Sequence, residues 1–291
     1  MSDRLFIPQA TGDGSYTFYC EQFQEAFHSS FGAKQEAEVR YIKPCGIKEL
    51  AASKSTIYLL DVCYGLGYNS AAALEAIWSV NPKCQVELIA LEISADVPRQ
   101  AIAQNLLSQW KYPVSELLAQ FRNKSLIEAE FFRAELLLGD ARQTIQAVIK
   151  KDWQADAVFL DPFSPPKCPQ LWTVEFLTLV ASCLNPKGRL ATYSCSAAVR
   201  SALLEIGLKI SSITGEGRKS PGTLATHEYK NILTLPQKER EHLMTRAAVP
   251  YRDRDLCSLP EEIVERRQQE QQQSNLESTS KWRKRWLQSN M

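Results

Sequence analysis

The sequence predicts an α/β fold: helices packed on both faces of a mostly parallel, seven-stranded sheet. Three observations predict it. Continuous apolar runs alternate with segments of helical pattern from Ser55 onward. Such runs read as strands buried on both faces, which in a parallel sheet are covered by crossover helices. A glycine turn, Gly65-Leu66-Gly67, follows the first run. Acidic residues stand at or just past the ends of four runs: Asp61, Glu92, Asp140 and Asp161. Right-handed crossovers bring the carboxyl ends of parallel strands to one edge, and ligands of open α/β sheets bind there.

The elements follow in order. STIYLLDVC (55–63) is the first strand. Asn69 is placed to cap a helix whose apolar side holds Ala72, Ala73, Ala76 and Ile77, and Asn81-Pro82 ends it. CQVELIALE (84–92) is the second strand, followed by a helix over 95–110. FFRAELLLGD (131–140) and ADAVFLD (155–161) are the third and fourth strands. A helix over 172–184 stops at Asn185-Pro186-Lys187-Gly188. GRLATYS (188–194) is the fifth strand, and AAVRSALLEIG (197–207) a helix with a glycine stop. LKISSITG (208–215) and HEYKNILTLP (227–236) close the pattern. The loop between them is too short for a crossover helix, so these two strands are expected to form an antiparallel hairpin.

Composition bounds the rest. Hydrophobic residues make up 44% and charged residues 23% of the 291, which excludes collagen-like, low-complexity and wholly disordered classes. That length fits one large domain with appendages. No apolar run approaches the ~18 residues of a membrane span, and MSDRLFIPQATGDGSY has no export-signal pattern. A soluble, cytoplasmic protein is expected. The net charge of +1 steers the chain globally toward neither nucleic acid nor membrane. Eight cysteines form no CxxC pair, and three histidines (His28, His227, His242) offer little help. No metal site is therefore expected, and the thiols should be reduced and mostly buried.

Three regions are expected. Residues 1–54, rich in aromatics (Tyr16, Phe18, Tyr19, Phe23, Phe27, Phe31, Tyr41), form a layer covering the site. Residues 55–236 are the α/β body. Residues 237–291 carry eleven Lys/Arg against nine Asp/Glu and the run RRQQEQQQSN, so a charged tail, part helical and part disordered, is expected.

The glycine turn and the acidic rim select among cofactors. Gly65 and Gly67 let the backbone approach a ligand closely. The dinucleotide fingerprint G-x-G-x-x-G fails at Ser70, and Asp61 disfavours a pyrophosphate. S-adenosyl-L-methionine suits an acidic rim, because its sulfonium and ammonium are positive and it carries no phosphate. Glu92 is placed to accept from both ribose hydroxyls, in bonds worth ~1.5–3 kcal/mol each. Asp140 is placed beside the adenine amine, and equally as the N-cap of a helix starting at Ala141. The two roles are compatible.

Asp161-Pro162-Phe163-Ser164-Pro165-Pro166 is a loop stiffened by its prolines. Asp161 can attract a substrate ammonium, then take its proton or stabilise developing charge. Phe163 can pack against a base or cation. Methyl transfer is an in-line displacement, so positioning supplies most of its catalysis. Methylation at a pyrimidine carbon would need an activated thiolate. Cys63, Cys168 and Cys195 lie near strand ends with nothing activating around them. Two basic clusters, GEGRK (215–219) and KWRKRW (281–286), suit phosphates and stacked bases, or are solvated surface.

These motifs together resemble the MnmC family, the methyltransferase domain of a bifunctional tRNA-modification protein and its stand-alone relatives. The resemblance covers nearly the whole chain. A DGS-T segment with His-Ser and Gly-Ala-x-x-Glu falls on Asp13, Gly14, Ser15, Thr17, His28, Ser29, Gly32, Ala33 and Glu36. G-x-G-x-N falls on Gly65, Gly67 and Asn69. LDPFSPPKCPQLW resembles the family's LDGFAPxKNPxMW, matching Asp161, Phe163, Pro165, Lys167, Pro169 and Trp172. GRLATYSCSAAVRSALLEIGL and GEGRK match too. Pro162 replaces a glycine and Cys168 an asparagine, which brings the loop nearer the DPPF/NPPY motif of general amino-methyltransferases.

The resemblance implies a class I, Rossmann-like methyltransferase using S-adenosyl-L-methionine on the aminomethyl nitrogen of a tRNA wobble uridine. It implies that Asp61, Gly65, Gly67, Glu92 and Asp140 bind the cofactor, with Ser15 and Thr17 over its methionine end. It implies that Asp161 and Phe163 are catalytic, and that Arg218, Lys219, Lys167 and Trp172 meet tRNA. In the two-domain protein a flavin oxidase makes the amine. This chain is expected to be methylation-only, with a separate enzyme as the source. Other readings keep the fold: aminopropyl transfer to a polyamine, another amine N-methyltransferase, or a non-catalytic RNA-binding protein. The single Asp161 and the basic loop argue against the first, and the intact acidic rim against the last.

Overall fold

The computed structural model describes residues 6–214, 220–228 and 234–288. Two short hairpins come first: β1 (Gln9–Ala10) with β2 (Tyr16–Thr17), and β3 (Tyr19–Cys20) with β4 (Glu25–Ala26). α1 (Ala33–Ala37) runs through a π-helical turn, Glu38–Ile42, into α2 (Lys43–Cys45) and α3 (Ile47–Ser53). The body then alternates: β5 (Thr56–Val62), α4 (Tyr68–Val80), β6 (Gln85–Glu92), α5 (Asp96–Ala103), α6 (Val114–Ala119), β7 (Leu126–Ala129), β8 (Phe132–Leu138) and α7 (Ala141–Ile149). It continues with β9 (Ala155–Leu160), α8 (Val174–Ser182), β10 (Leu184–Thr192), α9 (Ala197–Glu205), β11 (Lys209–Ile213) and β12 (Gly222–Thr226). α10 (Gln237–His242), α11 (Pro260–Gln273) and α12 (Thr279–Gln288) complete it.

The main sheet has eight strands in the order β11-β12-β10-β9-β5-β6-β8-β7. β10, β9, β5, β6 and β8 are mutually parallel. β12 lies antiparallel to both β10 and β11, which makes the expected terminal hairpin. From β5 the chain winds outward through β6 to β8, then β9 returns to β5's other side. The strand order therefore reverses between β5 and β9, the position at which such sheets open a ligand crevice. The register sets Asp61 opposite Phe159 and Val62 opposite Leu160, so Asp61 and Asp161 stand on the two walls of that crevice.

Alternate residues of each central strand enter opposite cores, and both cores are apolar. Ile57, Leu59, Leu88, Ala90 and Phe159 pack beneath α3 and α4. Leu60, Val62, Ile89, Leu91, Val158 and Leu160 pack beneath α7, α8 and α9. Tyr251 and Ile263, from the C-terminal region, belong to the second core.

Four expectations need correction. The sheet has an eighth strand, β7, whose four residues are mostly exposed and so carry no apolar run. The last strand is Gly222–Thr226, within the expected loop, and 229–233 of the expected strand lie outside the described residues. The helix over 95–110 ends at Ala103, because Asn105 takes a left-handed conformation (φ 58) that asparagine tolerates. Asn69 does not cap α4, whose N-cap is the left-handed Gly67. Among the described residues, no helix is long and apolar enough to cross a membrane.

Candidate active site

β5 runs straight into the turn Cys63-Tyr64-Gly65-Leu66-Gly67. Cys63, Gly65 and Gly67 have φ of 69, 54 and 84. Glycine is needed at position 67 on a second count, since a Cβ there would lie 2.4 Å from the Tyr64 hydroxyl. β6 pins the turn from beside it. The Leu91 carbonyl accepts from the Cys63 and Tyr64 N–H groups, both at 3.0 Å. Glu92 Oε2 accepts from Gly65 N–H at 2.8 Å, and Oε1 from Ile93 N–H at 2.8 Å and Ser94 N–H at 3.3 Å. Burial pushes the Glu92 carboxyl up and these N–H groups oppose it. Three donors on two oxygens leave acceptor capacity for a ligand hydroxyl.

Asp61 is fully buried. Its Oδ2 accepts from Ser70 Oγ at 2.6 Å, and its Oδ1 has no partner among the described residues. Burial, reinforced by the charges of Asp161 and Glu92 and opposed by Ser70, raises its pKa to about 8. An acceptor left without a donor in this way costs ~1–3 kcal/mol. A cation arriving at Oδ1 would recover that cost, and no dinucleotide phosphate would.

Asp140 caps α7, accepting from Arg142 N–H at 2.9 Å. It also pairs with Arg142 Nη2 at 2.7 Å, and Arg142 Nη1 reaches the fully buried Asp253 at 2.8 Å. The carboxylate remains partly exposed, so the cap leaves room for a second partner.

Asp161 follows β9. Its Oδ1 accepts from the Tyr41 hydroxyl at 2.5 Å and its Oδ2 from Asn69 Nδ2 at 2.9 Å. Burial and the Asp161 charge push the Tyr41 phenol well above its usual range, so it stays a donor. The first four residues of the loop, Asp161 to Ser164, are gripped. Tyr193 donates to the Pro162 carbonyl at 2.9 Å and Trp172 Nε1 to the Phe163 carbonyl at 2.8 Å. Glu25 accepts from Ser164 N–H at 2.9 Å and from its hydroxyl. Phe163 stacks on Phe23 at 4.5 Å and meets Phe27 edge-on at 5.0 Å. The hairpin β3–β4 and the residues just beyond it thus lie against the loop and the glycine turn.

The fold brings Asp61, Gly65, Gly67, Glu92, Asp140, Asp161 and Phe163 to one edge of the sheet. Ser15 is fully buried; its hydroxyl accepts from the Ala33 and Lys34 N–H groups (2.9 and 3.2 Å) and caps α1. Thr17 accepts from His28 N–H at 3.0 Å, and the His28 ring stacks on Tyr68, the first residue of α4, at 5.0 Å. Ser15 thus fixes the start of α1, and Thr17 fixes His28. Trp172 is 0% exposed, which corrects its expected role: it cannot meet a macromolecule and serves the loop through Phe163. Lys167 is exposed, and Arg218 and Lys219 lie outside the described residues.

Tyr41, Glu25, Tyr193 and the amide of Asn69 were not assigned a part at the site from sequence. Tyr41 and Glu25 reach it across 120 and 139 residues, so no local pattern marks them. Burial drives the Cys63 thiol well up and the Cys168 thiol to about 12, so neither is a thiolate. No group of three metal-ligating side chains lies together among the described residues.

A reversed strand order, a left-handed glycine turn and an acidic, phosphate-averse rim fit the cationic cofactor, and define the class as a Rossmann-like S-adenosyl-L-methionine-dependent methyltransferase. A family of that description matches residues 98–228. MnmC2 from Aquifex aeolicus is similar in structure, with a TM-score of 0.80 and 35% identity, covering 92% of this chain and 86% of that one. The uncharacterized protein MJ0670 of Methanocaldococcus jannaschii is 32% identical over 271 residues, 89% of this chain and 70% of its own. The tRNA 5-methylaminomethyl-2-thiouridine biosynthesis bifunctional protein MnmC of Acidovorax is 26% identical over 222 residues, 72% of this chain and 34% of that protein. The chain thus spans about a third of such bifunctional relatives. It belongs to the MnmC2 family of methyltransferases.

Proposed function

We propose that this methyltransferase acts on the aminomethyl nitrogen at carbon 5 of a tRNA wobble uridine, giving the methylaminomethyl nucleoside. One observation carries the reading: Asp161, held by Tyr41 and Asn69 beside an aromatic cluster, stands across the crevice from Asp61. The bifunctional relatives, whose names place them in 5-methylaminomethyl-2-thiouridine biosynthesis, support it.

When bound, the cofactor supplies a methyl carbon on a positively charged sulfur. Asp61 Oδ1 would hold its ammonium, Glu92 its ribose hydroxyls and Asp140 its adenine amine. Asp161 attracts the substrate ammonium, takes a proton from it and passes that proton to solvent, which frees the nitrogen lone pair; ionised again, it stabilises the positive charge that grows there during transfer. Two hydrogen bonds and the gripped loop hold the carboxylate still, so little reorganisation accompanies the reaction. Phe163, stacked on Phe23, lines the base pocket. Lys167, Arg218 and Lys219 would meet the tRNA backbone, Ser15 and Thr17 would support the methionine end through α1 and His28, and a separate enzyme would supply the amine.

Nucleoside mass spectrometry of tRNA from a deletion strain tests this. Methylaminomethyl-uridine should vanish and the unmethylated amine accumulate, whereas an unchanged profile refutes the substrate. Asp161→Ala should lower transfer ~10²-fold or more while calorimetry finds cofactor affinity nearly unchanged. Loss of both would mean that Asp161 belongs to the cofactor.

A further inference from the structure

We propose that Asn69 binds the accepting amine together with Asp161 and so limits the enzyme to one methyl per nitrogen; this rests on the amine-methylation reading above. Asn69 is 5% exposed. Its Nδ2 donates to Asp161 Oδ2 at 2.9 Å. That contact fixes the amide, because the flipped form would set its oxygen against the carboxylate. Oδ1 is then an oriented acceptor beside the reacting group, and it has no partner among the described residues. Helix capping does not account for it, since Gly67 is the N-cap of α4 and no side chain caps there. Asp61 Oδ1, a buried carboxylate oxygen that also lacks a partner among the described residues, belongs to a group tied to Ser70 and suits the cofactor's ammonium.

A neutral primary amine offers two N–H groups and one lone pair. With one N–H on Asp161 and the other on Asn69 Oδ1, the lone pair is left free for attack. The N–C bond forms as the C–S bond breaks, and the breaking pair stays on sulfur. The nitrogen, now positive, gives a proton to Asp161, which passes it to solvent. The product keeps a single N–H. In a second round it can satisfy only one acceptor, and its methyl must lie against the other. Leaving a buried acceptor unpaired should slow that second transfer about 10- to 100-fold.

The test uses the full chain with tRNA carrying the aminomethyl group, and reads kcat/KM, cofactor affinity and the ratio of mono- to dimethylated nucleoside. Asn69→Ala and the near-isosteric Asn69→Leu, which remove the acceptor, should lose about 10- to 100-fold in kcat/KM, keep cofactor affinity and yield dimethylated nucleoside. Asn69→Asp keeps an acceptor at Oδ1 but sets its second oxygen against Asp161, so one carboxyl of the pair must hold a proton; transfer should slow while the product stays monomethyl. If Ala and Leu variants that bind cofactor give only monomethyl product at any rate, Asn69 merely holds Asp161 and the proposal fails. No transfer to this amine by the unaltered protein would instead overturn the functional reading itself, before any variant is made.

Discussion

Asp61 is a carboxyl group placed where its charge is unwelcome until a cation comes. Folding moves its pKa from about 3.9 in the open chain to about 8. Between those values the folded protein holds a proton that the unfolded chain has released. The group's stabilising contribution is therefore complete below pH 4 and is lost as pH climbs to 8. Asp61→Asn, which cannot ionise, should raise the melting temperature of the ligand-free protein at pH 8 by a few degrees, at ~2–4 °C per kcal/mol. The advantage should fade toward pH 4. Cofactor binding should reverse the order at pH 8, because an ammonium at Oδ1 favours the charged form and releases the proton. Thermal scans at several pH values, with and without cofactor, read all three effects. A variant destabilised equally at every pH would mean that Asp61 is ionised and structural.

At the scale of elements, the loop after β9 shows what local sequence can and cannot announce. Its carboxylate was legible because it ends an apolar strand, as were Asp61 and Glu92, and its stiffness was legible in its prolines. Its clamps were not, because Glu25 and Tyr193 meet it only after the chain has folded back. Trp172 was legible as a residue and misread as a contact surface, since size and aromaticity serve a core as well as an interface. Trp172→Phe would strip the Phe163 carbonyl of its donor and leave a void among buried side chains. A stability loss of about 2–3 kcal/mol follows. Transfer should slow with it, while cofactor affinity holds, because the residues proposed to bind the cofactor lie on β5, on β6 and at the N-cap of α7. Denaturant unfolding and calorimetry on one preparation separate these effects. Weakened cofactor binding with kcat preserved would place the loop on the cofactor's side.

The whole molecule was legible where burial is two-sided and obscure where it is not. β5, β6, β8 and β9 declared themselves as mainly apolar runs, and β10 only over its second half, because Asn185-Pro186-Lys187-Gly188, expected as a helix stop, lies within it. β12 is built of small residues, GTLAT, and β7 is mostly exposed, so neither presents such a run. The C-terminal region, expected to be part helical and part disordered, forms α10, α11 and α12, and sparse anchors seat it: Tyr251 and Ile263 enter the second core, and Trp282 stacks on His242 at 4.5 Å. Its charges are employed as well as solvated. Asp253 receives Arg142, Glu239 receives Arg200 at 2.6 Å, and Arg267 lies over the Tyr251 ring at 4.5 Å. Arg142 and Arg200 are themselves almost buried, so deleting their partners leaves guanidinium charge in a poorly solvated place, at a cost of about 3–5 kcal/mol for a pair broken on one side. A chain ending at Leu235 should therefore melt at least ~10 °C lower, and should bind cofactor more weakly, because Arg142 would no longer be braced while it holds Asp140. Differential scanning calorimetry and cofactor titration of the shortened chain decide the matter. An unchanged melting temperature would make residues 237–288 an appendage after all. Lost stability with cofactor affinity intact would confine their role to packing and sever the link from Asp253 through Arg142 to the cofactor edge.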